Sequence, residues 1–295
     1  MLKIANLEGA SNPNGLRAIV QSCEVRVTKN KKEYLSGFLM DDTGVIGFKV
    51  WDNADLMKTL LQPASVIRIE SGKMDSYNDI VTIAIVKLTA LSEDEGSDLI
   101  HTAPIEFDVL KTKFENTIEK LKEAGFAMDV GMGRLKTAGY LDLFMNLPAG
   151  RVMHHAYRHG LLQHSIEVVE IAESIMEHTA RYHEADPDQD VVRFAALFHD
   201  LGKLQEYDIT PLKLFDSFST EGKLLGHHYI SAEMINALFR KDIGQAFPDK
   251  FLKIKHCLLS HHGRKDWGAA VEPALLEAFI VSQADLISSA PFKFL

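Results

Sequence analysis

The hydrophobic period of this chain changes once, from two residues to about 3.6, close to residue 100, and that change requires two folding units of different class. Before it lie short β-branched and aromatic runs: Val25-Arg-Val27, Tyr34 to Met40, Val45 to Trp51, Val66 to Ile69 and Ile80 to Val86. Asp41-Asp42-Thr43-Gly44 is a tight-turn sequence joining two of them, and Asn53 to Leu61 predicts a short helix ending before Pro63. Five strands and one helix predict a small β-barrel over residues 1–92. The polar, acidic stretch 93–104 predicts a linker. From Ile105 onward the spacing predicts an all-α bundle over 105–295. Its helices are expected at Phe107 to Ala124, Leu135 to Leu147, and about 160–178, 190–206, 229–241, 249–260 and 273–289.

Charge follows the same division. Residues 1–90 carry 11 Lys+Arg against 10 Asp+Glu, a net of +1, whereas 91–295 carry 21 against 31, a net of −10, so the negative charge belongs to the helical part. A chain this acidic is not steered globally to nucleic acid, and any such contact must come from local patches. No apolar run approaches the roughly 18 residues of a bilayer span, and no membrane partner is expected. The N-terminal residues lack the apolar stretch of an export signal, so a cytoplasmic protein with Cys23 and Cys257 reduced is expected. Two scattered cysteines exclude a thiolate zinc framework.

Histidine is the unevenly placed residue. Of 13, 12 lie between His154 and His262, and the first 100 residues have none. His164 follows the apolar spacing of Leu161, Val168, Ala172 and Ile175 and therefore points into the bundle. His199 and Asp200 interrupt the apolar run from Phe194 to Leu201, and Asp285 interrupts Ala278 to Leu286. A buried carboxylate is costly unless a partner offsets its desolvation, and a cation does so. His227-His228 and His261-His262 add two further groups. One histidine on an apolar face is more often a satisfied core residue. Five such features in one unit point instead to a metal site, and imidazole with carboxylate suits Mn, Fe, Zn, Co or Ni.

The order His164, His199-Asp200, Asp285 resembles the HD-domain superfamily of metal-dependent phosphohydrolases, whose central motif Phe198-His-Asp-Leu-Gly-Lys203 matches throughout. The turn Leu39-Met-Asp-Asp-Thr-Gly44 followed by Trp51 resembles the OB-fold of nucleic-acid-binding proteins. His154 to His164, Gly222-Lys-Leu-Leu-Gly-His227 and Leu259-Ser-His-His-Gly-Arg-Lys-Asp-Trp-Gly268 look like the YhaM-type 3′→5′ exoribonucleases, which place an OB-fold before an HD domain. The resemblance implies one ion held by His164, His199, Asp200 and Asp285. It implies a second held by Asp200, His227, His261 and His262, with Asp200 bridging and His228 outside the set. Two divalent ions, manganese foremost, are the implied cofactors.

The expected activity is therefore metal-dependent phosphodiester hydrolysis, with Asp200 and Lys203 catalytic and single-stranded nucleic acid, RNA above DNA, as the partner. Lys203 follows His199 by four positions, hence on the same helical face, and is assigned to a phosphate oxygen. Arg151, His154 and His155 are candidates for phosphate binding or for support of the ligands; Arg264 and Lys265 are candidates for the nucleic-acid backbone, with Trp267 beside them for a base. On the barrel, Lys49, Trp51, Arg68, Lys73 and Tyr77 are candidates for gripping a strand. Two other functions fit the same residues: an HD hydrolase of nucleotides or cyclic dinucleotides with a regulatory barrel, and a nucleic-acid-binding module whose metal site has decayed. Oligomeric state is open, a homo-oligomer included.

Overall fold

The computed structural model describes residues 2–7, 12–28, 30–77, 80–150 and 155–290; of Tyr77 only the backbone is included. The chain divides into two compact units, Met1–Thr102 with Thr210–Leu212, and Ala103–Ile209 with Lys213–Leu295. No helix among the described residues is long and apolar enough to cross a membrane.

The first unit is a closed five-stranded barrel of β1 (Arg17–Val27), β2 (Glu33–Asp41), β3 (Gly44–Val50), β4 (Val66–Tyr77) and β5 (Ile80–Leu91), with α1 (Ala54–Leu60) between β3 and β4. The order β1-β2-β3-β5-β4 closes through antiparallel pairing of β1 with β4 and parallel pairing of β3 with β5. That order is the OB-fold. The β2–β3 turn forms because the Asp41 carboxylate accepts from Thr43 N at 2.8 Å and Gly44 N at 3.1 Å. Leu35, Leu39, Phe48, Val50 and Ile83 alternate inward and fill the barrel, leaving the intervening side chains outside. β1, β4 and β5 extend well beyond their strongest β-branched runs, since ladder pairing tolerates residues such as Glu24 and Lys73 once one face is solvated. The stretch expected as a linker contains a 3₁₀ helix, Asp94–Leu99, with Leu99 and Ile100 buried and Arg17 donating to the Glu95 carbonyl at 2.8 Å.

The second unit contains α2 (Phe107–Glu123), α3 (Met128–Thr137), α4 (Tyr140–Asn146), α5 (Gly160–His183), α6 (Gln189–Phe198), α7 (Lys203–Glu206), a hairpin of β6 (Tyr207–Ile209) and β7 (Phe215–Phe218), α8 (Thr220–Phe239), α9 (Pro248–Ser260) and α10 (Leu276–Ser289). Three expectations change. The helix expected over 135–147 is two, separated at Gly139 (φ +77°), a left-handed position that ends α3 and starts α4. The helix expected over 190–206 stops at Phe198, because the next residues make tight three-residue bonds such as Lys203 N to Asp200 O. The unit is not purely helical, since β6 and β7 pair where no periodicity announces them; Tyr207, Phe215 and Phe218 pack their rings edge to face across that hairpin.

Apart from half-buried Arg193, helix α6 is buried from Val191 to Phe198, and α5, α9 and α10 pack around it. Its N-terminus is capped by the Asp188 side chain accepting from Val191 N. This central position brings the end of α6 under the faces of its neighbours, and the site is built there.

Candidate metal centre

His199 and Asp200 follow the last residue of α6, and both are buried. His164 comes from the first turns of α5 and Asp285 from α10, which packs on α5. His164 Nε2 lies 3.1 Å from His199 Nε2, 3.2 Å from Asp285 Oδ1 and 3.5 Å from Asp200 Oδ2. His199 Nε2 lies 3.4 Å from the same Asp200 Oδ2. The other oxygen, Asp200 Oδ1, faces His227 Nε2 at 3.4 Å and His261 Nε2 at 3.7 Å.

His227 is aimed by a break. Helix α8, capped by Ser219, runs through a non-helical Gly226 (φ +71°), which re-starts the helix at His227-His228. His261 and His262 directly follow α9, whose first residue is Pro248. The rings of His227, His228, His261 and His262 offer ligand atoms all within 4.8 Å of one another, as do His164, His199 and Asp285, and also His199, Asp200 and His261. The structure thus gathers His164, His199, Asp200, His227, His261, His262 and Asp285 into one place, with His228 beside them. His164, Asp200, His227, His261, His262 and Asp285 line a cavity of about 460 Å³ together with Lys203, Glu206, Tyr207 and Trp267.

The rings are held in one tautomer. His199 Nδ1 donates to Ala196 O and His261 Nδ1 to Leu258 O, each at 2.8 Å, and His262 Nδ1 donates to Trp267 O at 2.9 Å. His227 Nδ1 donates to the buried Glu206 carboxylate at 2.9 Å, which also accepts His227 N. His164 Nδ1 donates to Ser288 Oγ at 2.9 Å, because that hydroxyl spends its proton on Glu167 Oε2 at 2.8 Å. Each of these bonds turns Nε2 inward, the arrangement that metal-bound imidazoles require.

The fit to a cation is visible in what lacks a partner. Asp200 Oδ1, His227 Nε2, His228 Nε2 and His261 Nε2 are buried with no hydrogen bond. Each such atom costs about 1–3 kcal/mol, and a divalent ion satisfies several at once. Protonation agrees. Burial pushes His164 down to about 4 and His228 to about 2, and drives His261 well below an ordinary imidazole. Burial opposes ionisation of Asp200 and Asp285 too. Lys203 and His199 nevertheless hold Asp200 well below the usual carboxylate range, and the His164 imidazole, 3.2 Å away, brings Asp285 to about 2. Neutral imidazoles and ionised carboxylates are the forms a metal binds. His199 runs the other way: burial lowers it, but the Asp200 charge prevails and raises it, and a cation competes for that position.

Lys203 opens α7 rather than continuing α6, so its place comes from the tight turn 199–202 and not from shared helical spacing. Its ammonium is buried, donates to Asp200 Oδ2 at 2.6 Å and is held charged, since that carboxylate outweighs the burial. His155 is buried behind His164, its Nε2 donating to Glu167 Oε2 at 3.0 Å. Arg151 and His154 lie outside the described residues. Arg264 and Lys265 are exposed on the turn after His262, and the Arg264 guanidinium sits 5.3 Å from the Trp267 ring. On the barrel, Lys49 Nζ is 5.7 Å from the Trp51 ring, which stacks on Tyr34 at 4.6 Å. Lys49 and Lys73 both register with Ala84 and share the outer face. Arg68 pairs opposite Arg17 at another seam, bonded to Glu70 at 2.8 Å, and does not join that group; the Tyr77 side chain is outside the description.

Spacing left Glu167, Ser288 and Glu206 unnoticed. Glu167 is three residues beyond His164 on α5 and collects Gln163, His155 and Ser288; burial opposes its ionisation, but those hydrogen bonds bring it to about 2. Its i+3 placement was the available signal. Glu167→Gln removes the charge that fixes Ser288 and His164. Metal affinity is expected to fall about 10- to 100-fold with the fold intact; equal chelator competition curves for the two proteins would contradict this.

Among known families, the HD domain matches residues 161–290. The match takes in the stretches of three helices, and the two turns, that supply His164, His199-Asp200, His227, His261-His262 and Asp285. The helical unit carries an HD domain. The chain is a metal-dependent hydrolase, and its HD domain depends on a divalent cation. Along nearly its whole length the chain is similar to the 3′-5′ exoribonuclease YhaM of Geobacillus sp. (strain WCH70), 27% identical over 274 residues, covering 90% of this chain and 79% of that protein. The protein of the same name from Bacillus subtilis (strain 168) is 26% identical, covering 90% and 82%. Of solved structures, the OB domain of Ta0387 from Thermoplasma acidophilum is similar over 36% of this chain and 92% of its own, at 14% identity and a TM-score of 0.26. The OB assignment of the barrel rests on its strand order and closure.

Proposed function

We propose that this chain is a two-metal 3′→5′ exoribonuclease, with the barrel unit holding single-stranded RNA and the HD domain removing nucleoside monophosphates from its end. The observation that carries the reading is Asp200, whose two oxygens face two different sets of histidines in one cavity. One set is His164 and His199 with Asp285; the other is His227, His261 and His262. When bound, two divalent cations, manganese foremost, supply Lewis acidity to a phosphodiester and lower the pKa of a water.

The protein's own groups do the rest. Asp200 spans both sets and keeps them a fixed distance apart. Lys203 holds Asp200 in place and puts a permanent positive charge where a phosphoryl oxygen gains negative charge. Glu206 and the Glu167–Ser288 pair keep the imidazoles in the binding tautomer. Favouring a polymer over a free nucleotide are the YhaM likeness and the barrel face with Tyr34, Trp51, Lys49 and Lys73, an aromatic platform beside cationic side chains.

Hydrolysis of 5′-labelled RNA, 5′-labelled single-stranded DNA, cyclic dinucleotides and mononucleotides, with and without manganese, tests the proposal. Stepwise shortening of RNA that requires the metal is expected; turnover of mononucleotides or cyclic dinucleotides alone would defeat it. Lys49→Ala with Lys73→Ala is expected to weaken oligonucleotide affinity several-fold at low salt and to reduce its salt dependence by about two phosphate contacts. Unchanged affinity would take this barrel face out of the mechanism.

A further inference from the structure

A second cavity, of about 480 Å³, adjoins the metal cavity and shares four residues with it: His262, Trp267, Ser282 and Leu286. Its remaining wall includes Arg264, Glu272, Pro273, Phe279 and Gln283. The volume lies within the about 300–1,000 Å³ of small-molecule sites. Two large aromatic side chains flank it unusually exposed, Trp267 at 53% on the turn after α9 and Phe279 at 50% on α10. Neither is core. Gln283 is part-buried and presents an amide that can donate and accept. Arg264 stacks on Trp267 and is otherwise 4.0 Å from an exposed Asp266, leaving its guanidinium available to a phosphate.

The main chain at Trp267 is tied to the metal centre, because its carbonyl accepts the Nδ1 proton of His262 at 2.9 Å. A planar group stacked there is held in register with the metal centre. We propose that this second cavity is a nucleobase subsite, taking the nucleotide across the scissile phosphodiester from the one in the metal cavity. Trp267 and Phe279 supply the stacking surface, Gln283 and Glu272 hydrogen bonds to base edge or ribose, and Arg264 a phosphate contact. The occupant is an extension of the substrate strand rather than a protein, because the cavity shares His262, Trp267, Ser282 and Leu286 with the metal cavity. This rests on the exonuclease reading above.

The chain has two tryptophans, Trp51 and Trp267, so a Trp51→Phe background leaves Trp267 as the only indole. In that background, full-length and manganese-loaded, fluorescence titrations compare adenosine monophosphate with a hydrolysis-resistant phosphorothioate diadenosine dinucleotide. The dinucleotide is expected to quench Trp267 and to bind roughly tenfold or more tighter than the mononucleotide. In the chain with Trp51 retained, calorimetry is expected to show that advantage lost in Trp267→Ala and in Phe279→Ala, and largely kept in Trp267→Phe. Equal affinities for the two probes, with RNA still shortened at an unchanged KM by both alanine variants, would overturn the subsite and leave the exonuclease reading standing. A chain that hydrolyses no polynucleotide would overturn both.

Discussion

Asp200→Asn is expected to lower the hydrolytic rate by about 10³-fold or more, roughly 4 kcal/mol of transition-state stabilisation. Asparagine keeps the shape of the side chain but removes the charge that both histidine sets face. The loss has a second part. Lys203 is buried against Asp200 and would be left as an uncompensated ammonium, a defect that costs about 3–5 kcal/mol. The two parts separate in a metal titration followed by thermal unfolding. The wild-type midpoint should rise as manganese is added, since an ion that binds only the folded state stabilises it. Asp200→Asn should start lower and rise little, whereas Lys203→Met should keep the rise while losing rate. A manganese-dependent midpoint and undiminished turnover in Asp200→Asn would remove the shared carboxylate from the mechanism.

Gly202→Ala is expected to destabilise the helical unit by about 3 kcal/mol or more and to cost metal affinity with it. Gly202 has an ordinary helical φ of −62°, so conformational freedom is not the reason for glycine here. Its reason is proximity: a Cβ would stand 2.2 Å from His227 O, 2.6 Å from Ser231 N and 2.9 Å from Ser231 Oγ. Two of these three atoms are backbone, which cannot swing aside. The same contact locks the ligand turn, because Ser231 Oγ accepts from Gly202 N at 2.7 Å and donates to His199 O at 2.8 Å. Pushing α8 away would move His227 from Asp200. Gly133→Ala is the control, an exposed helical position where a Cβ meets nothing within 4 Å and where alanine should stabilise by about 0.5–1 kcal/mol. Denaturant midpoints that agreed for Gly202→Ala and wild type would show that the turn accepts the methyl group.

The barrel and the bundle were readable for different reasons than the site. Alternation in Tyr34 to Met40 and Val45 to Trp51 gave the strands, since a half-buried strand has to repeat every two residues. Helical periodicity showed α2 and α5 clearly. It ran through Gly139 and through residues 199–202, because apolar spacing records which face is buried and not whether the backbone bonds are three or four residues apart. The hairpin of Tyr207–Ile209 and Phe215–Phe218 is too short to carry a period at all. On the barrel, sequence placed Lys49, Trp51 and Arg68 together as cations and aromatics. Strand register separates Arg68 from the other two, because facing and neighbours depend on which strands pair.

What the sequence determined by itself was the set of ligand types and their presence in buried segments. A histidine or aspartate inside an apolar run such as Phe194 to Leu201 needs a partner wherever the chain puts it. Only the tertiary structure decided how those groups divide. The Asp200 carboxylate turns one oxygen toward His164 and His199 and the other toward His227 and His261. Glu167 and Glu206, 39 positions apart in the sequence, reach histidines of opposite sets. Such choices depend on distances of a few ångströms between side chains from α5, α7, α8, α9 and α10, which local periodicity does not encode, because it reports burial and not which buried surfaces meet.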